Sequence, residues 1–161
     1  MTALTLPTRT GDRPRTGPSV PHVQLSQNSP AELRERLKQW MTANLPGTVI
    51  RLSEISEPGS LAFFLDNTPP PPGTVLLPPR LNAELAHVHT DGSLHLALAL
   101  EDQQEVITKG WGERHPLYSP TINVLMLYGP RTDDELQIAK TVIAASYRYA
   151  TGHTLLATGP H

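Results

Sequence analysis

Residues 85–100 read Leu-Ala-His-Val-His-Thr-Asp-Gly-Ser-Leu-His-Leu-Ala-Leu-Ala-Leu, and the way this stretch folds back on itself decides the architecture. Leu85–His89 and Ser93–Leu100 have the composition of two strands, with Thr90-Asp91-Gly92 between them as a tight turn. Side chains alternate faces along a strand, so His87 and His89 point the same way. A two-residue loop, Asp91-Gly92, pairs Val88 with His95 and mixes histidines with leucines on each face. A three-residue loop pairs His87 with His95 instead. His87, His89 and His95 then share one face with Ser93, Ala97 and Ala99, while Ala86, Val88, Leu94, Leu96, Leu98 and Leu100 share the other. The second register makes one clean apolar face and puts Gly92 where such a loop needs a left-handed residue. It is the preferred register here, and it predicts a histidine-lined surface backed by a leucine core.

Working outward, the sequence predicts helices and further strands on both sides. Ser29-Pro30-Ala31-Glu32 has the form of a capping box with proline at the first helical position. Leu33, Leu37, Trp40 and Met41 follow at helical spacing, which places Trp40 in the core. Strands are expected near Thr48–Ile55, Ser60–Leu65 and Thr74–Leu77, with Pro58-Gly59 as a turn. The run Pro69–Pro72 favours polyproline II, either as a stiff connection or as a ligand for an aromatic groove. After the hairpin come a short helix from Asp102 to Lys109, a loop from Trp111 to Pro120 and a strand over Thr121–Tyr128. Thr132-Asp133-Asp134-Glu135 is a second capping box. It opens a long helix whose apolar face is Leu136, Ala139, Val142, Ile143, Ser146 and Tyr149. The order implies an α+β fold in a single domain: a mixed, mainly antiparallel sheet with helices packed on one face. Residues 1–27, rich in Pro, Thr and Arg without apolar periodicity, are expected to be a flexible arm preceding a domain over 28–161.

Composition narrows the chemistry. The chain has 161 residues, a formal net charge of −2 and no cysteine. Thiol catalysis, thiolate metal sites and disulfides are excluded. A basic surplus suited to nucleic acid is lacking, and no apolar run reaches the length of a membrane helix. The expectation is a soluble, cytoplasmic protein that meets a small-molecule substrate, with neither nucleic acid nor membrane as partner. Its oligomeric state is open.

Next to the hairpin lies Gly110-Trp111-Gly112-Glu113-Arg114-His115-Pro116. This loop supplies an acceptor, a fixed cation and a titratable base. Histidine near its reference pKa of about 6.5 can take a proton at neutral pH. Arg114 could stabilise an enolate. The expected catalytic set is His87, His89, His115, Arg114 and Glu113, with His95, Trp111, Ser93 and Ala97 binding substrate. The rival chemistry is a metal site on His87, His89, His95 and His115, since three imidazoles suit catalytic zinc or iron. A module that binds a ligand without turnover is the third possibility.

The segments LAHVHTDGSLHLALALEDQQEVITKGWGERHPL and LMLYGPRTDDELQIAKTVIAASYRYATG resemble the fungal luciferase family, over about Glu84 to Gly152. The resemblance implies oxidation of an enol or α-pyrone such as 3-hydroxyhispidin by molecular oxygen, with possible light emission, no cofactor, and O2 as co-substrate. Matched by motif, the family's positions are His87, His89, His95, Trp111, Arg114, His115 and Pro116. Glu113 stands where the fungal enzymes carry glutamine. The polar N-terminal arm stands where they carry a hydrophobic anchor.

Overall fold

The computed structural model describes residues 3–53 and 59–155. Its elements are α1 (Ala31–Asn44), β1 (Thr48–Leu52), β2 (Leu61–Leu65), β3 (Glu84–Val88), β4 (Leu94–Leu96), α2 (Leu100–Thr108), β5 (Gly112–Arg114), β6 (Leu125–Leu127) and α3 (Asp133–Thr151). The six strands form one sheet in the order β1-β2-β3-β4-β6-β5. Every pairing is antiparallel, so the α+β architecture stands and the parallel component allowed for is not seen among the described residues.

The hairpin takes the three-residue form. His87 pairs with His95 and Val88 with Leu94. The His89 amide donates to the Ser93 carbonyl, the Gly92 amide donates back to the His89 carbonyl, and Gly92 has φ +95°. The parity argument therefore holds over Ala86–Val88 and Leu94–Leu96 and fails beyond β4, where Ala97 turns into the core. The register extends it across the whole sheet. One row runs Arg51, Ala62, His87, His95, Met126, Glu113. Directly opposed residues share a face, so this row is one surface. The adjacent row, Ile50, Phe63, Ala86, Leu96, Leu125, Arg114, points the other way.

That second face is the core. Phe63, Ala86, Leu96 and Leu125 pack with Leu33, Leu37 and Met41 of α1, Val106 of α2, and Leu136, Ala139, Val142 and Ile143 of α3. α3 is capped as the sequence expects: the Thr132 side chain accepts from the Glu135 amide, and Gly152 closes the helix at φ +78°. α1 is not. Pro30 occupies its N-cap without a side-chain bond, and the Ser29 hydroxyl has no hydrogen-bond partner. Ser29 is instead packed against the hairpin loop, its amide donating to the Asp91 carbonyl. Trp40 is only half-buried and edges the core.

Other boundaries differ from expectation. β4 stops at Leu96, and exposed Leu100 opens α2. β6 is shorter than Thr121–Tyr128, and β5 forms inside a stretch read as loop. Thr74–Leu77 is buried in part but joins no strand. β1 ends at Leu52; Ile55 and Pro58 lie outside the described residues.

The largest departure is the N-terminal segment, expected to be a flexible arm. Residues 3–27 run along the domain. Leu6 joins the core, and the Leu4 and Leu6 amides donate to Asp102 and Glu105. The Arg9 amide donates to the Lys109 carbonyl, and Gln24 accepts from the Gly129 amide. This segment is a strap: its first residues lie against α2 and the core, and its part from Thr16 to Gln24 covers the histidine face of the sheet. Its own polar backbone is satisfied by side chains of α2 and the hairpin, which a search for apolar periodicity does not register.

Candidate functional site

The strap and the histidine face enclose a cavity of about 290 Å³ lined by His22, His87, His89, His95 and His115 together with Val20, Pro21, Val23, Pro78, Leu117, Ile122 and Val124. Val20 and Leu117 are exposed and form its rim. Three of the histidines come from the β3–β4 hairpin, one follows β5, and His22 comes from the strap.

The histidines are linked. His87 Nδ1 lies 2.6 Å from a Glu84 carboxylate oxygen. His87 Nε2 lies 3.1 Å from His95 Nδ1. His95 Nε2 lies 2.9 Å from His22 Nδ1, and His22 Nε2 lies 3.0 Å from Glu113. A carboxylate thus ends the chain on each side. Glu113 also accepts from the Tyr128 hydroxyl and from Thr16. His89 stands beside the chain. The Ser93 hydroxyl donates to Asp91 at 2.6 Å and lies 2.9 Å from His89 Nδ1. A hydroxyl has one proton to give, so His89 Nδ1 carries the hydrogen and His89 Nε2 is a bare lone pair. For His115 the reverse holds. Its Nδ1 accepts from the Leu117 amide, so its Nε2 carries the hydrogen.

Burial sets the protonation. His89 is held down to about 3, first by desolvation and then by neighbouring His87, His22 and His115. His95 is pushed well below its ordinary value, again by burial and then by the surrounding imidazoles. His115 is lowered for the same reasons. These rings are neutral at physiological pH. Burial raises the Glu113 carboxyl, but hydrogen bonds from His22, Tyr128 and Thr16 more than offset it, and the net direction is downward. Burial, then the bond to Glu113, pushes Tyr128 up to about 12.

Of the residues singled out by sequence, the structure brings His87, His89, His95 and His115 to one cavity, with Ser93 and Glu113 behind them. It does not bring Arg114, Trp111 or Ala97. Arg114 sits one residue beyond Glu113 on β5 and so faces the opposite side. It bonds Gln103 and stacks on Tyr118. The Trp111 indole donates to the Pro7 carbonyl, away from the histidines. Ala97 belongs to the core. Sequence reasoning missed His22, Glu84 and Tyr128. His22 gives no signal within a proline-rich segment. Glu84 lies three residues before His87, just outside the strand expected at Leu85–His89.

Among the described residues, two histidine triplets have nitrogens close enough to share a metal ion: His87, His89 and His95, and His22, His95 and His115.

The luciferase domain family matches residues 82–146. A luciferase from Armillaria mellea is 33% identical over 168 aligned positions, covering 91% of this chain and 61% of the relative. One from Armillaria gallica is 32% identical over the same shares. One from Neonothopanus nambi is 42% identical over 79 positions, 45% of this chain and 30% of the relative. The chain thus spans about three fifths of the length of the Armillaria relatives it matches. No solved structure matches it significantly. The matched segment holds His87, His89, His95 and His115, and His22 lies outside it. Residues 82–146 thus match the luciferase domain family, and the chain is similar over most of its length to fungal luciferases.

Proposed function

We propose that the protein is a luciferase-type oxidoreductase that uses molecular oxygen to oxidise an enol-bearing small molecule, an α-pyrone of the 3-hydroxyhispidin kind, without an organic cofactor. The observation that carries this reading is the pairing of opposite hydrogen-bond roles in one cavity. His89 Nε2 is a neutral acceptor and His115 Nε2 a neutral donor, and the wall between them includes apolar Ile122 and Val124. An enol hydroxyl next to a ring carbonyl presents the matching donor and acceptor.

His89 accepts the hydroxyl proton. In an empty apolar cavity the resulting imidazolium is costly, which is why the ring is held neutral. With substrate bound, the enolate left behind supplies the compensating negative charge, so proton transfer creates an ion pair and not an isolated charge. The His115 N–H holds the carbonyl oxygen as electron density spreads onto it. The electron-rich carbon then gives an electron pair to O2, forming a C–O bond and leaving a peroxide oxygen that takes up a proton. The apolar side chains of the rim and wall limit water around the bound substrate, which favours an emissive product if one forms.

The test is oxygen uptake and photon counting on 3-hydroxyhispidin and related pyrones. General-base removal in His89→Ala should lower kcat/KM by about 100-fold or more. A folded His89→Ala variant that consumes oxygen as fast as the parent overturns the reading.

A further inference from the structure

Counting protons along the histidine chain leads to a site that hydrogen bonding alone does not fill. Two carboxylates and three imidazoles in the series Glu84–His87–His95–His22–Glu113 make four contacts. Imidazoles with one hydrogen each supply three. One of the four contacts is then left without a hydrogen.

The gap does not fall at a carboxylate, because a lone pair pressed against a carboxylate oxygen is the costliest of the four pairings. Glu84, which also accepts from the Ser53 hydroxyl, then takes a hydrogen from His87 Nδ1 at 2.6 Å, so His87 Nε2 is bare. Glu113 takes its hydrogen from His22 Nε2, so His22 Nδ1 is bare and must accept from His95 Nε2. His95 Nδ1 is then bare as well. Two lone pairs face each other across 3.1 Å between His87 and His95. The ring of His89, whose Nε2 is bare through its Ser93–Asp91 tether, stands beside both, its centroid 5.0 Å from that of His87 and 4.4 Å from that of His95. One nitrogen from each of the three rings lies within 4.8 Å of the others.

We infer that His87 Nε2, His89 Nε2 and His95 Nδ1 form a tri-histidine site for a divalent transition-metal ion, with its open position toward the cavity. Each ligand has its other nitrogen donating to a partner that ends in a carboxylate: His87 to Glu84, His89 through Ser93 to Asp91, and His95 through His22 to Glu113. That outer arrangement orients metal-binding imidazoles and raises their basicity. Tetrahedral bonds of about 2.0–2.1 Å place ligand nitrogens about 3.3 Å apart, so the observed 3.1 Å needs only a small adjustment. Three acidic side chains, Glu84, Asp91 and Glu113, also back the cluster, an arrangement that favours a cation.

The second triplet, His22, His95 and His115, does not serve. His115 Nε2 carries a hydrogen because its Nδ1 accepts from the Leu117 amide, and His95 Nε2 carries the hydrogen bound by His22. Imidazole-only coordination with an open position suits zinc, copper or iron and leaves the choice to supply. The site is defined by hydrogen-bond roles; a metal ion on His89 Nε2 takes the lone pair that accepts the substrate proton in the proposed oxidation, so the two are alternative uses of one nitrogen.

The full-length chain, purified without a histidine tag and stripped with a chelator, should be titrated with Zn2+ by calorimetry and with Co2+ by visible absorption, in the absence of substrate. The expected result is one equivalent bound, with the intense visible band of four-coordinate cobalt. His89→Ala should lower affinity at least 100-fold, and Glu84→Gln about 10- to 100-fold. His115→Ala should stay within about threefold of the parent. Less than one tenth of an equivalent of Zn2+, Co2+, Cu2+ and Fe2+ overturns the inference, as does a His115→Ala variant that loses the metal as fully as His89→Ala. Resonances showing an imidazolium in the metal-free cluster, unchanged by added metal, also overturn it: the fourth contact is then filled by a proton. Oxygen uptake by the same samples is scored separately, so a failed oxidation leaves the binding result standing, and the reverse.

Discussion

Replacing His22 by alanine tests whether the strap is part of the molecule or laid over it. His22 is 3% exposed, and both ring nitrogens are bonded, Nδ1 to His95 and Nε2 to Glu113. The alanine variant opens a void continuous with the cavity, so water can enter and the cavity penalty is small. The cost comes from the polar partners. Glu113 keeps Tyr128 and Thr16, and its side chain is 30% exposed, so it is re-solvated cheaply. The buried His95 nitrogen has only incoming water to turn to. One neutral bond at about 1 kcal/mol and one to a charged group at about 1.5–3 kcal/mol give a loss of about 2–4 kcal/mol. For a chain of this size that is a fall in Tm of about 5–15 °C. Urea denaturation and thermal scans of the parent, His22→Ala and Arg15→Ala supply the measurement. Arg15 is exposed on the same strap, and its replacement should stay within about 0.5 kcal/mol. If His22→Ala also falls within that margin, the strap is not seated on the histidine face, and the tautomer argument through His22 fails with it.

Three further outcomes follow from the geometry. A Cβ on Gly112 would lie 2.2 Å from the Met126 carbonyl oxygen and 2.9 Å from a Val106 methyl; Gly112→Ala should cost about 3 kcal/mol in urea denaturation, at the upper end of overpacking. Tyr128→Phe removes a hydrogen bond to Glu113; it should cost about 1–2 kcal/mol and raise the Glu113 pKa, read by carboxyl NMR, because a group that favours the ionised form is gone. Arg114→Ala, whose guanidinium lies on the far face against Gln103 and Tyr118, should leave kcat/KM for any accepted pyrone within about threefold; a 100-fold loss would show that the arginine reaches the substrate after all.

The hairpin was legible because two independent local constraints agree there. Period-two patterning and the left-handed glycine both select the register that pairs His87 with His95. The capping box of α3 was legible for the same reason. Ser29 was not, because the same four-residue pattern that caps a helix also fits a serine pressed against Gly92 and Gly129. Glu113 and Arg114 were misread together. As a loop they could both reach one ligand; as strand β5 they cannot, since consecutive strand residues face opposite sides. Three residues are too few for periodicity to reveal, and the strand exists because β6 offers it an edge.

His22 shows why the matched segment is not the functional unit. Residues 82–146 hold four of the cavity histidines, yet the wall facing them comes from the strap. Without His22, the His95 Nε2 hydrogen has no acceptor, and either tautomer of His95 becomes available. The proton count that leaves three lone pairs near one another then no longer holds, because His95 Nδ1–H can simply donate to His87. The N-terminal strap therefore does more than cover the sheet. By accepting one hydrogen bond from His95 it leaves the other nitrogen of that ring bare toward His87, and a segment with no helix and only an isolated Thr16–Gln24 bridge sets the chemistry of a site built on the sheet.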